Sequence, residues 1–173
     1  EAIGQAMARP ASFPPKGAHV LGVHLEGPYI SESKLGAQPA FARPVSLEEI
    51  DQLNRLALIK LITLAPETDN NMELIAKLTE LGIRVQLGHT SGSYEQGVQA
   101  LQAGATGFTH LFNAMSQWQS RSLGLVGASF RSDAWTSIIA DGLHCDFESL
   151  RLAKQIKGEK LFLITDAVTH DES

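Results

Sequence analysis

The sequence predicts an α/β fold: about six βα units forming an incomplete (β/α)8 barrel of the TIM type. Three observations predict it. Short β-branched or aliphatic runs alternate with patterns of helical spacing along the whole chain. Runs such as Ser137-Ile138-Ile139-Ala140 and Leu161-Phe162-Leu163-Ile164 are almost continuously apolar, as in a parallel sheet covered on both faces. Four runs stop on a carboxylate or an imidazole, and a barrel brings strand ends to one point whereas an open doubly wound sheet spreads them along a line.

The elements follow in order. A helical pattern over Glu1 to Arg9 precedes a strand near His19 to Glu26. Ser46 is an expected N-cap for a helix opening with Leu47-Glu48-Glu49-Ile50 and continuing through Leu53, Leu56 and Ala57. A strand over Ile59 to Ala65 leads to a helix over Asn70 to Leu81 that closes at Gly82, where glycine suits a helix C-terminus. Ile83 to Gly88 is the next strand, and Ser93 to Ala103 the next helix, closed by Gly104. Strands are then expected near Thr106 to His110, Thr136 to Asp141 and Lys160 to Asp166, with a helix from Asp146 to Ile156 ending at Lys157-Gly158.

With 173 residues and a 43% hydrophobic fraction, the chain can build one sizeable core. Six units cannot close an eight-stranded barrel, and the chain is shorter than the roughly 250 residues such barrels use. The expectation is a single partial barrel domain over 1–173, with both ends reading as interruptions and two strands missing. The formal net charge of −5, with scattered basic residues, argues against nucleic acid as a partner. No apolar stretch approaches a bilayer's thickness, and the N-terminus does not read as a signal peptide. Cys145 is the only cysteine, so no intrachain disulfide forms and a cytoplasmic protein is expected.

The chemistry lies at the strand ends. Glu26, His89 and His110 close three of the runs, and two neutral imidazoles with one carboxylate leave a divalent metal with residual charge and an open position. His24 lies two residues before Glu26 and so shares its face; it is a rival ligand, with orienting Glu26 or packing beneath the metal the preferred role. Asp166 ends the fourth run, placed to take a proton from water and return it to a leaving group. Cys145 beside His144 is the nearest candidate nucleophile, a role the setting does not favour.

His24-Leu25-Glu26-Gly27-Pro28-Tyr29, Gly88-His89-Thr90, Thr109-His110-Leu111-Phe112-Asn113-Ala114-Met115, Ile138 to His144 with its Asp141-Gly142-Leu143-His144, and Thr165-Asp166-Ala167 occur in that order. The set resembles the N-acetylglucosamine-6-phosphate deacetylases of the amidohydrolase superfamily, over nearly the whole chain. The resemblance implies that Glu26, His89 and His110 bind one divalent metal per site, zinc foremost, with Fe2+, Mn2+ or Co2+ as alternatives. It implies Asp166 as general acid/base of a metal-assisted amide hydrolysis yielding acetate and glucosamine-6-phosphate, within amino sugar catabolism. It also implies that Asn113 and Ala114, with Arg121, hold the sugar phosphate, and that Asp141, Gly142, Leu143 and His144 line the sugar pocket. A small-molecule sugar phosphate is the implied partner, and a homodimer the implied assembly of the full-length protein.

Two departures from the family pattern follow. In the loop carrying Ala37 and Gln38, also implied to meet substrate, Gln38 stands where some members carry a histidine that polarises the acetyl carbonyl. The chain resembles strands three to eight only, without the family's first two strands, its small β-sandwich domain and the segment after the catalytic aspartate. A related amidohydrolase acting on another N-acetylated sugar phosphate, and an inert truncated fragment that only binds metal or sugar phosphate, are the alternatives.

Overall fold

A computed structural model describes residues 21–167; the helix expected over Glu1 to Arg9, the strand start at His19 and residues 168–173 lie outside the described residues. Six strands, β1 (Val23–Glu26), β2 (Ile59–Leu64), β3 (Arg84–Leu87), β4 (Gly107–Phe108), β5 (Trp135–Ile139) and β6 (Leu161–Ile164), form one sheet. All neighbours pair parallel, in the order β1-β2-β3-β4-β5-β6. That order never reverses. A doubly wound sheet needs a reversal to put helices on both faces, so winding in one sense curls the sheet into a half-barrel.

Five helices connect the strands: α1 (Leu47–Leu56), α2 (Asn71–Glu80), α3 (Tyr94–Gln102), α4 (Gly124–Arg131) and α5 (Phe147–Lys157). Their starts obey local chemistry. The Ser46 hydroxyl accepts from the Glu49 amide, Ser93 and Gln96 form a reciprocal capping box, and Asp146 accepts from the Glu148 amide. Gly82 and Gly158 take positive φ just past α2 and α5, as helix ends require.

The core lies between the sheet's outer face and the helices. Leu25, Ile62, Leu64, Val85, Leu87, Phe108 and Ile138 from the strands meet Ile50, Ile75, Leu78, Ala100, Leu125, Ala128 and Ala153 from the helices. Successive helices also pack on one another, α2 on α3, α3 on α4 and α4 on α5. The α3–α4 approach depends on Gly97: a Cβ there would stand 2.7 Å from that of Ala128 and 2.8 Å from Leu125 Cδ1.

Helix α4 is the element that pattern reading misses. Leu123 offers no side-chain cap, and Gly124 through Ser129 are all buried, so the segment lacks the alternation of wet and dry faces that marks a surface helix. The expected fourth strand also shrinks to two residues, because Thr109 and His110 already leave the ladder, His110 at φ 37.

Two buried polar staples hold the first crossovers. The Asn71 side chain donates to the carbonyls of Tyr29 and Ala65 and accepts from the Val45 amide, tying three segments with one residue. The Tyr29 hydroxyl donates to Glu49, which also pairs with Arg43; burial, then that bond, raises its pKa.

Lys157 closes the far side, its ammonium donating to the Ser129 and Ser132 carbonyls at the end of α4, 2.8 Å from each. Burial, only partly offset by Asp133, pushes its pKa down to about 8. An unfolded lysine titrates near 10.4, so between about pH 8 and about 10.4 the unfolded chain binds more protons and stability rises with pH. Urea unfolding across that window should show the wild type gaining on the order of 3 kcal/mol relative to Lys157→Met. A constant difference between the two would refute the assignment.

Candidate metal centre

Glu26 is the last residue of β1, His89 stands two residues beyond β3 and His110 two beyond β4. The curl brings them together. Glu26 Oε1 lies 2.9 Å from His89 Nε2 and 2.8 Å from His110 Nε2, and the two nitrogens are 3.0 Å apart. Among the described residues they form the one group of three or more histidine, cysteine and carboxylate side chains whose ligand atoms all lie within 4.8 Å of one another. In a tetrahedral shell with bonds of 2.0–2.1 Å, neighbouring ligands stand roughly 3.3 Å apart, close to these edges.

The hydrogen bonding selects the tautomer. His89 Nδ1 lies 2.7 Å from the Lys34 carbonyl, which can only accept, so Nδ1 carries the proton and the Nε2 of the neutral ring turns a lone pair into the triangle. His110 Nδ1 is buried without a partner. The residues therefore fit a divalent cation: three electron-pair donors converge, one in its ligating tautomer.

Without a cation, protons must do its work. Burial would raise the Glu26 carboxyl, but bonds from His110 and His89 outweigh it and hold the group well below the usual carboxylate range. Burial likewise opposes a charged His89, yet Glu26 and the Lys34 carbonyl outweigh it and raise the imidazole pKa.

Both histidines adopt positive φ, 48° at His89 and 37° at His110, a backbone state that costs a non-glycine residue on the order of 1–3 kcal/mol unless its surroundings impose it. The surroundings here do. After His89, the Thr90 hydroxyl and Ser91 amide both donate to the Glu67 carboxylate at 2.5 Å, and the Thr90 amide donates to the Ala114 carbonyl. His110's own amide donates to the Ser137 hydroxyl at 2.9 Å and the following amide, Leu111, to the Ser137 carbonyl.

His24 shares the concave face with Glu26, but its Nε2 bonds Thr63 Oγ1 at 2.7 Å and makes no hydrogen bond to Glu26. Parallel register explains the sideways reach, since Thr63 on β2 is the pairing partner of Glu26. A chain of hydroxyls continues from Thr63 to Thr109 and on to Gln86. His24, Glu26, Gln86, Ser137 and Asp166 line one cavity of about 370 Å³, with Asp166 exposed at its rim.

The remaining candidates sit around this centre rather than in it. Ala37 is exposed and Gln38 half-buried, its side chain beside Gly27. Asn113 donates to the Leu111 carbonyl and lies 3.6 Å from Cys145 Sγ; Ala114 is half-buried at φ 47, and Arg121 is exposed. Asp141 accepts from the amides of Leu143 and His144 and from the His144 ring, holding its carboxyl down to about 2; Gly142 turns the loop and Leu143 is 90% exposed. Cys145 is buried, and burial raises its thiol pKa, which disfavours a nucleophilic thiolate.

The strand-end residues were legible from sequence; their supports were not. Lys34 acts through a backbone carbonyl, which no residue type announces. Glu67 had a signal, an acidic residue in the turn directly after β2, but nothing local links it to a loop 24 positions away.

Fold and site define an α/β chain of the barrel type, with three residues that could hold a metal ion at the C-terminal ends of its strands. No protein-family model matches the chain. It is 42% identical to the N-acetylglucosamine-6-phosphate deacetylase of Bacillus subtilis over 157 residues, 88% of this chain and 40% of that protein. The human enzyme of that name is 41% identical over 165 residues, covering 89% of the chain and 40% of the relative. The crystal structure of the Pasteurella multocida deacetylase superposes with a TM-score of 0.85 at 40% identity, covering 95% of this chain and 43% of that one. A Mycobacterium smegmatis variant crystallised with N-acetyl-D-glucosamine-6-phosphate gives 0.82 at 37% identity, covering 85% of this chain and 40% of that one. The chain is thus a homologue of the N-acetylglucosamine-6-phosphate deacetylases, and spans about two-fifths of their length.

Two measurements check the centre. Metal binding must displace a proton from the raised imidazole, so zinc affinity measured by chelator competition should weaken about tenfold per pH unit below the His89 pKa. Glu67→Ala should weaken zinc binding about tenfold by releasing the loop that carries His89; wild-type affinity in the variant would show that Glu67 plays no part.

Proposed function

We propose that this chain carries the metal-binding and proton-transferring part of an N-acetylglucosamine-6-phosphate deacetylase, with zinc as the metal. The observation that carries the reading is the convergence of Glu26, His89 and His110, with His89 fixed in its ligating tautomer, in a chain 42% identical to such an enzyme. A divalent ion held by these three residues supplies Lewis acidity and brings the pKa of a water toward neutrality.

The chain's own groups do the rest. Asp166, at the rim of the cavity that Glu26 lines, removes a proton from the attacking water and delivers it to the amide nitrogen as the C–N bond breaks, so water and amide become acetate and amine. Gln38 donates a hydrogen bond toward the acetyl carbonyl; lacking charge, it polarises that bond less than a histidinium would. Arg121 and the backbone at Asn113 and Ala114 hold the phosphate, suited by the bidentate geometry of a guanidinium. Asp141 orients His144 through a 2.7 Å bond, and together with Gly142 and Leu143 they face the sugar. We assign the whole protein to a cytoplasmic homodimer acting on a small sugar phosphate; among the described residues no helix is long and apolar enough to cross a membrane.

A second reading, binding of metal or sugar phosphate without turnover, is favoured by the exposure of both Asp166 and Arg121. Release of free amine from N-acetylglucosamine-6-phosphate, with zinc supplied, separates the two. Turnover should appear in the wild type and fall about 10²- to 10⁴-fold in Asp166→Asn, with zinc affinity unchanged. A folded, zinc-loaded wild type that releases no amine would support the second reading.

A further inference from the structure

The segment between β1 and α1 lies against the metal ligand of another strand. Ser31 donates its amide to the His89 carbonyl at 2.8 Å, and Ser33 and Ser91 share a hydroxyl–hydroxyl bond at 2.6 Å. The Lys34 carbonyl, ending a short 3₁₀ turn over Glu32–Lys34, accepts from the His89 ring. Gly36 then crosses the edge of that ring at φ +59, where an added Cβ would stand 3.3 Å from His89 Cε1. Ala37 and Gln38 follow directly, with the Gln38 amide bonded to the Leu35 carbonyl.

We infer that residues 31–38 form a strap whose docking is thermodynamically coupled to metal binding at His89. The inference rests on the metal reading above and extends it. The strap can accept only from a protonated Nδ1, and of the two tautomers of the neutral ring only that one leaves Nε2 free for a cation; within the neutral ring, strap and metal therefore select the same tautomer. Each stabilises the other by the same factor, because linkage is reciprocal. The strap delivers Gln38 to the site once the cation has fixed the ring, so metal binds before substrate and orders the surface that receives it. The Ser33–Ser91 bond and the close pass of Gly36 are the contacts through which the strap feels the ring's position.

The test uses zinc itself as probe, in two readouts on the same chain. Zinc should slow amide hydrogen exchange across 31–38 in the wild type. Gly36→Ala, strained at positive φ and pressed against the ring, should weaken zinc binding at least tenfold, the usual effect of disturbing a partner of a metal-bound imidazole, and blunt the zinc-dependent protection. Ser33→Ala, which removes an exposed hydroxyl and its bonds to Ser91 and Ser31, should weaken zinc about threefold in a chain that still folds, so the inference does not depend on whether the glycine variant folds. Wild type that binds zinc without protecting the strap, or a folded variant of either kind with wild-type zinc affinity, would overturn the coupling alone. Wild type that binds no zinc would overturn the metal reading and the coupling with it.

Discussion

Glu26, His89 and His110 bring three electron-pair donors to within 3.0 Å of one another inside the curl of a parallel sheet, a placement that is costly unless positive charge lies among them. Protons supply that charge in part, which is why the metal-free carboxylate is held so far down and the His89 ring is pulled up. A divalent cation supplies it fully. Much of the local structure at the strand ends serves this convergence: two histidines in left-handed backbone, a glutamate after the neighbouring strand β2 clamping the loop after His89, and a serine on β5 receiving the amide of His110.

The sheet makes the convergence possible by its winding. Because each strand lies beside its sequence neighbour and all run parallel, every crossover turns the same way and the C-terminal ends close toward one axis. The helices complete this by close packing, as where α4 approaches Gly97 of α3, and by buried polar contacts such as that of Lys157 with the end of α4. The concave face carries a different chemistry. There His24, Thr63, Thr109 and Gln86 form a continuous hydrogen-bonded chain beneath the metal centre, so polar groups that the outer core could not tolerate satisfy one another.

Relatives along 88–89% of the chain, themselves more than twice its length, are named N-acetylglucosamine-6-phosphate deacetylases. In the proposed function, Gln38 would polarise the acetyl carbonyl by a neutral hydrogen bond rather than by charge. Its loop is the one tied to His89 through the Lys34 carbonyl, so Gln38 and that histidine are held by the same segment.

The amino-acid sequence by itself determined the alternation of strands and helices, the capped helix starts at Ser46, Ser93 and Asp146, and the four strand-end residues to which the proposed function assigns the chemistry. These are local facts: periodicity, a capping hydroxyl and an abrupt stop in an apolar run lie within a few residues of one another. Only the tertiary structure decided the rest. Helix α4 has no exposed face to give it a pattern, so its existence follows from the layers that bury it. The His24 ring turns to Thr63 because of strand register, a relation between residues 39 positions apart. The tautomer of His89 is set by the Lys34 carbonyl, a group every residue possesses, and it becomes specific only when the curl of the sheet and the path of the strap bring those two atoms within 2.7 Å.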